Sequence, residues 1–119
     1  MITVLIIDDE SDAVDAMVEI LSDSNIKVIG KGYNGKEAVE LYKKLKPDVI
    51  VLDILMPEYD GHYAINNIKE FDPNAKILVI TADVSELSGL KLRDKQIQFL
   101  YKPYEPDDVV SHIESLCKN

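Results

Sequence analysis

The chain carries four places where side-chain type and position together suggest chemistry: the pair Asp8-Asp9, Asp53, Thr81 and Lys102. Each follows or closes a strand-like stretch, at residues 3–7, 49–52, 77–80 and 97–101 respectively. A carboxylate at the end of a strand can cap a helix, ligate a metal or act as a nucleophile. For Asp53 the next helix start falls at Asp60-Gly61, too far along the chain to be capped, so this acid needs another partner. For Asp8-Asp9 the plain alternative is a capped helix start, a role that one of the pair can combine with ligation.

If these acids meet, they cannot do so alone. Two unit charges about 4 Å apart repel by about 4 kcal/mol at an effective dielectric of 20, so three clustered carboxylates demand a counter-charge. Lys102 brings one positive charge, and a divalent cation could bring the rest. A donor set of few carboxylates with open positions suits Mg²⁺, which keeps waters and shares its shell with phosphate.

The elements that would bring them together follow from the apolar pattern. Residues 49–52 are unbroken and rich in β-branched side chains, as a strand covered on both faces should be; residues 3–7 and 77–80 read the same way, and residues 26–29 form a short strand. Residues 97–101 alternate, which marks a less covered edge strand. Between the strands run helical patterns. One is capped by Ser11 or Asp12 and turns Ala13, Ala16, Met17, Ile20 and Leu21 inward, the next carries Ala38, Leu41 and Leu45, and the third carries Ala64, Ile65, Ile68 and Phe71. A weak helix over residues 84–93 contains Gly89, and the last starts at Pro106 and buries Val109, Ile113 and Leu116.

Five strands alternating with five helices predict an α/β fold: one doubly wound parallel sheet, order 2-1-3-4-5, helices on both faces, flavodoxin-like. In that order strands one and three are neighbours where the winding reverses, so Asp8 and Asp9 face Asp53, joined by Thr81 and Lys102. Residues 1–119 are expected to form a single domain, with no linker and no room for an output domain.

Composition narrows the function. An apolar fraction of 46% spread along the chain fits a folded core. Acids outnumber bases 22 to 13, so the chain should repel nucleic acid, which is held by neutralising phosphates. No apolar run approaches the ~20 residues of a membrane span, and no signal peptide opens the chain; a cytoplasmic protein is expected. The lone Cys117 excludes an internal disulfide and fits helix packing with Ile113 and Leu116, while His62 and His112 read as surface residues. Gly30-x-Gly32-x-x-Gly35, trailed by Asp53, matches a dinucleotide fingerprint. It follows the second strand instead of the first, and an ordinary glycine-rich turn explains it. A nucleotide site using Gly30, Gly32, Gly35 and Asp53 is carried as the alternative.

Over its whole length the sequence resembles the receiver domain of two-component response regulators, of the single-domain, chemotaxis-regulator type. The resemblance is carried in order by Asp8-Asp9, Asp53 with Met56-Pro57 and Asp60-Gly61, Thr81-Ala82, and Lys102-Pro103. It implies that Asp53 accepts a phosphoryl group from a histidine kinase or phosphotransfer protein in a Mg²⁺-dependent reaction. Asp8, Asp9, Asp53 and the backbone carbonyl of Leu55 would hold the metal, and Lys102 and Thr81 the phosphoryl oxygens. A switch of Thr81 and Phe99 would then alter the surface of the 84–93 helix, the fifth strand and the last helix for a downstream protein, as a monomer or a phosphorylation-dependent dimer. The only catalysis implied is on the protein itself, and Lys102-Pro103 would be cis. A receiver excised from a longer regulator is the further alternative. Gly89, the 94–96 turn, Leu55 and Asp83 depart from the family pattern. Tyr101 and Tyr104 read as solvent-edge tyrosines or partner contacts.

Overall fold

The computed structural model describes residues 1–83, 85 and 94–118. Within them five strands, β1 (Ile2–Ile7), β2 (Ile26–Gly32), β3 (Val49–Asp53), β4 (Ile77–Thr81) and β5 (Ile97–Tyr101), form one sheet. Every pairing is parallel, and the order is β2-β1-β3-β4-β5. Helices α1 (Ser11–Leu21), α2 (Gly35–Leu45), α3 (Gly61–Phe71) and α4 (Pro106–Leu116) cover it. The helix expected over residues 84–93, Ser85 apart, lies outside the described residues.

Alternation along the strands divides the core in two. Leu5, Ile7, Ile50, Leu52, Ile77 and Val79 face α2 and α3. Val4, Ile6, Val49, Val51, Leu78 and Ile80 face α1 and α4, where Val109, Ile113 and Leu116 are buried as expected. Every residue of β3 and β4 is buried, as their continuous apolar sequence requires. At the edge, β5 pairs only with β4 and exposes Tyr101.

Several local expectations are corrected. The N-cap of α1 is Glu10, not Ser11 or Asp12, and it is the Asp8 carboxylate that accepts the Glu10 N–H, at 3.0 Å. The inward stripe is Val14, Met17 and Leu21, while Ala16 is exposed. Ala16 lies about 200° round the helix from Val14, on the opposite side. On α2 the buried apolar side chains are Ala38, Val39 and Tyr42, with Leu41 and Leu45 only partly buried. Phe71, at the end of α3, is 46% exposed and meets Tyr42 edge-on with ring centroids 6.4 Å apart. His112 is half-buried and bonded through Nδ1 to Gln98 Oε1 at 2.7 Å, tying α4 to β5.

The strand that ends the nucleotide alternative is β2. It runs through Gly32, with Leu5 paired to Gly30 and Ile7 to Gly32, so two of the three glycines lie inside the sheet instead of a phosphate-cradling turn. A Cβ on Gly30 would meet the Leu45 side chain, and one on Gly32 the side chains of Ile7 and Leu41. These glycines let α2 lie close on the sheet. Gly35 opens α2 behind Asn34, whose side chain accepts the Glu37 N–H.

Candidate functional site

The carboxyl edge of the sheet is held in place by hydrogen bonds that continue past the strands. The Ile54 N–H reaches the Ile80 carbonyl at 3.1 Å, extending the β3–β4 pairing beyond Asp53, and the Gly61 N–H returns to the Ile54 carbonyl at 2.9 Å. Asp60 caps α3 by accepting the Tyr63 N–H. The loop after β3 is thereby tied at both ends, and Asp53 is presented from a strand on one side and a helix start on the other.

Asp53 is 8% exposed. One of its oxygens accepts the Leu55 N–H at 3.3 Å, and the other lies 3.4 Å from Lys102 Nζ. Asp8, Asp9 and Asp53 each place a carboxylate oxygen within 4.8 Å of the others. A cleft of about 340 Å³ opens in front of Asp53 and Lys102, with Asp9, Leu55, Met56 and Ala82 along its wall. The Lys102–Pro103 peptide is cis.

Electrostatics follow from this crowding. Burial pushes the Asp8 carboxyl up to about 6; the charges of Asp53 and Asp9 add to the rise, while the Glu10 N–H and Lys102 oppose it. Burial works against a charged Lys102, yet the negative charges of Asp53 and Asp8 outweigh it and raise its pKa. The site holds more negative charge than its one lysine balances, so it favours whatever cation or proton can enter.

The other anticipated residues are placed as follows. Thr81 is fully buried; its hydroxyl donates to the Asp83 carbonyl at 2.9 Å and accepts the Asp83 N–H at 3.2 Å. Its backbone carbonyl accepts the Lys102 N–H at 2.9 Å, which locks β4 to the lysine. Leu55 turns its side chain outward, 69% exposed. Phe99 is half-buried against the α2–α3 side of the core. Tyr104 is no solvent-edge residue: it is half-buried behind the acids, its pKa raised by burial and by Asp8 and Asp53 against the pull of Lys102. Its place two residues after Lys102, across a proline, was the signal that could have put it there.

Comparison with known proteins agrees with this geometry. Residues 4–114 match the response regulator receiver domain. The chain is 39% identical to the chemotaxis protein CheY of Thermotoga maritima over 118 residues, covering 97% of each, and 35% identical to CheY of Listeria monocytogenes over 121 residues, covering 99% of this chain and all of the relative. Among solved structures, it superposes on a chain of the CheX–CheY–BeF3–Mg²⁺ complex from Borrelia burgdorferi with a TM-score of 0.84 at 31% identity, covering 99% of this chain and 90% of that one. The response regulator domain of Thermotoga maritima CheB gives a TM-score of 0.85 at 28% identity, covering 98% and 96%. With a matching family model, close relatives along nearly its full length and the same sheet order, the chain belongs to the response-regulator receiver domains of two-component signalling.

Proposed function

We propose that this protein is a phosphorylation-dependent signalling module in which Asp53 takes the phosphoryl group of a phosphohistidine on a histidine kinase or phosphotransfer protein. The observation that carries this reading is the setting of Asp53: a nearly buried carboxylate at the floor of an open cleft, ion-paired at 3.4 Å, with two more acids within 4.8 Å. A core ion pair has no use for the second and third acid. In the transfer an Asp53 oxygen bonds to phosphorus as the phosphorus–nitrogen bond breaks. The bonding pair leaves with the imidazole, and an acyl phosphate remains. Lys102 holds a phosphoryl oxygen and offsets its charge; positioning and charge neutralisation are most of what this chemistry asks of a protein. The only reaction so catalysed is on the protein itself.

The acids fit Mg²⁺. Oxygens around that ion, at 2.0–2.1 Å from it, lie about 3–4 Å apart, so donors already within 4.8 Å need only a small contraction. An all-oxygen set suits a hard ion. Asp8, Asp9, Asp53 and the Leu55 backbone carbonyl would hold it, and when bound it would supply positive charge facing the phosphoryl oxygens. The structural relative solved as a complex with Mg²⁺ and BeF3 supports magnesium as the ion.

In the switch that would follow, the Thr81 hydroxyl leaves the Asp83 backbone for a phosphoryl oxygen, and Phe99, on β5 at the α2–α3 side of the sheet, swings inward with it. The 84–93 part of the expected output surface, Ser85 apart, lies outside the described residues. Charge distribution supports a basic protein partner. Residues 8–26 and 103–117 hold 11 of the 22 acids and neither Lys nor Arg, so the remaining segments, with 11 acids and 13 bases, are slightly positive. Those two stretches contain α1 and α4, which pack on the same face of the sheet.

Incubation with Mg²⁺ and acetyl phosphate, read by intact mass, tests the reading. Wild type should gain one phosphoryl group and Asp53→Ala none. Equal labelling of the two would overturn it.

A further inference from the structure

Behind Asp53, on the side covered by α1 and α4, lies a second and much smaller cavity of about 40 Å³. Asp8, Asp53, Lys102 and Tyr104 contribute to its wall, with Met17 and Ile80 as apolar neighbours. A water needs roughly 10–15 Å³ and two to four polar partners, so the space and its lining suit one or two. Among the described residues no side chain is hydrogen-bonded to the Tyr104 hydroxyl. Burial and the nearby acids keep the phenol protonated, hence a donor. Asp8 has one oxygen gripped by the Glu10 N–H at 3.0 Å, which leaves its other oxygen to be held from elsewhere.

We propose that Tyr104 is a positioning residue of the acid cluster, its phenol O–H donating, through a water in this inner cavity, to the carboxylate of Asp8. With a donor on each oxygen, Asp8 is fixed in the plane it needs beside Asp53. A phenylalanine would fill the same space without that tie. The functional consequence rests on the reading of Asp8 as a Mg²⁺ ligand, but the hydrogen bond itself does not.

A double-mutant cycle in EDTA separates the two. Tyr104→Phe should lower the melting temperature of the wild type by about 2 °C or more beyond what it does in an Asp8→Ala background, because the acceptor is then gone. Equal shifts would mean that the hydroxyl serves only packing, and the proposal fails. Calorimetric titration with Mg²⁺ should give Tyr104→Phe at least threefold weaker binding than wild type, and unchanged affinity also counts against it. A wild type that binds no Mg²⁺ would sink the metal assignment while the cycle still decides the tie. Should any variant fail to fold, a high-resolution crystal structure of the wild type decides: a water bridging Tyr104 and Asp8 supports the proposal, and none there overturns it.

Discussion

Replacing Asp8 by Asn should stabilise the metal-free protein at neutral pH, against the usual outcome for a half-buried hydrogen-bonded residue. The folded-state pKa of Asp8 is raised from 3.8 to about 6, chiefly by burial and then by Asp53 and Asp9. Between those values the folded chain holds a proton that the unfolded chain has lost, so this group's contribution to stability falls as pH climbs from about 4 to 6 and stays unfavourable above. Taken at face value, two pKa units are worth about 3 kcal/mol. Asp8 is only partly buried, beside an open cleft, and solvent screening reduces this to about 1–1.5 kcal/mol. Asn keeps an oxygen for the Glu10 N–H and drops the charge. In EDTA at pH 7 the melting temperature should therefore rise by about 3–6 °C, and by about a third of that at pH 4.5, where the wild-type carboxyl is already largely protonated. Saturating Mg²⁺ should reverse the order, since a ligand at 100 times its Kd stabilises the competent wild type by about 2.7 kcal/mol. Circular dichroism melts at the two pH values, with and without the ion, measure all of this. An Asp8→Asn protein less stable than wild type in EDTA at pH 7, or a gain that does not shrink at pH 4.5, refutes the picture of a charge-strained acid cluster.

Lys102→Ala removes the counter-charge of Asp53; with 39% of the lysine side chain exposed, the metal-free loss should be about 1 kcal/mol. Because the folded-state pKa of Lys102 is raised, its contribution is present in full below the ordinary lysine range and is lost only as pH climbs through the higher folded value, so the deficit should be constant from pH 7 to 9 in urea unfolding. Gly35→Ala should cost about 2 kcal/mol in the same assay, because its Cβ would press on the backbone carbonyls of Asp60 and Tyr59, which cannot yield. Gly30→Ala meets the end of the Leu45 side chain and should cost less; the reverse ranking would contradict the packing of α2. Phosphoryl transfer from a phosphohistidine protein should slow at least tenfold between about 20 and 500 mM NaCl if the acidic α1–α4 side steers the encounter, and a flat stopped-flow rate would exclude that.

How far these features could be seen in the sequence differs by element, for physical reasons. The strands were legible because a strand covered on both faces tolerates mainly apolar side chains, and residues 4–7, 49–52 and 77–80 meet that condition without interruption. Their carboxyl ends then fixed which acids would meet, and Asp8, Asp9, Asp53 and Lys102 do. The phase of α1 was misjudged because alanine is cheap on either face, so Ala13 and Ala16 carried no directional information while Val14 did. The end of β2 was lost because Gly30 and Gly32 look like turn residues in one dimension. Their cause, the approach of Leu45 and Leu41, exists only once α2 is packed.

Thr81 marks a different limit, since its position at the end of β4 was evident but the direction of its hydroxyl was not. That hydroxyl is satisfied twice by the Asp83 backbone, at 2.9 and 3.2 Å. A neutral hydrogen bond contributes about 1 kcal/mol net and one to an anionic acceptor about 1.5–3 kcal/mol. Moving Thr81 toward an unmodified Asp53 would give up two good bonds for a carboxylate already shared between Lys102 and the Leu55 N–H. For the proposed switch this sets a threshold: the exchange becomes favourable only when new anionic oxygens arrive above Asp53. The Asp83 turn thus acts as a latch. A substitution that weakens it, such as Asp83→Pro, which removes the N–H donor, should let Thr81 leave with less than a phosphoryl group to draw it.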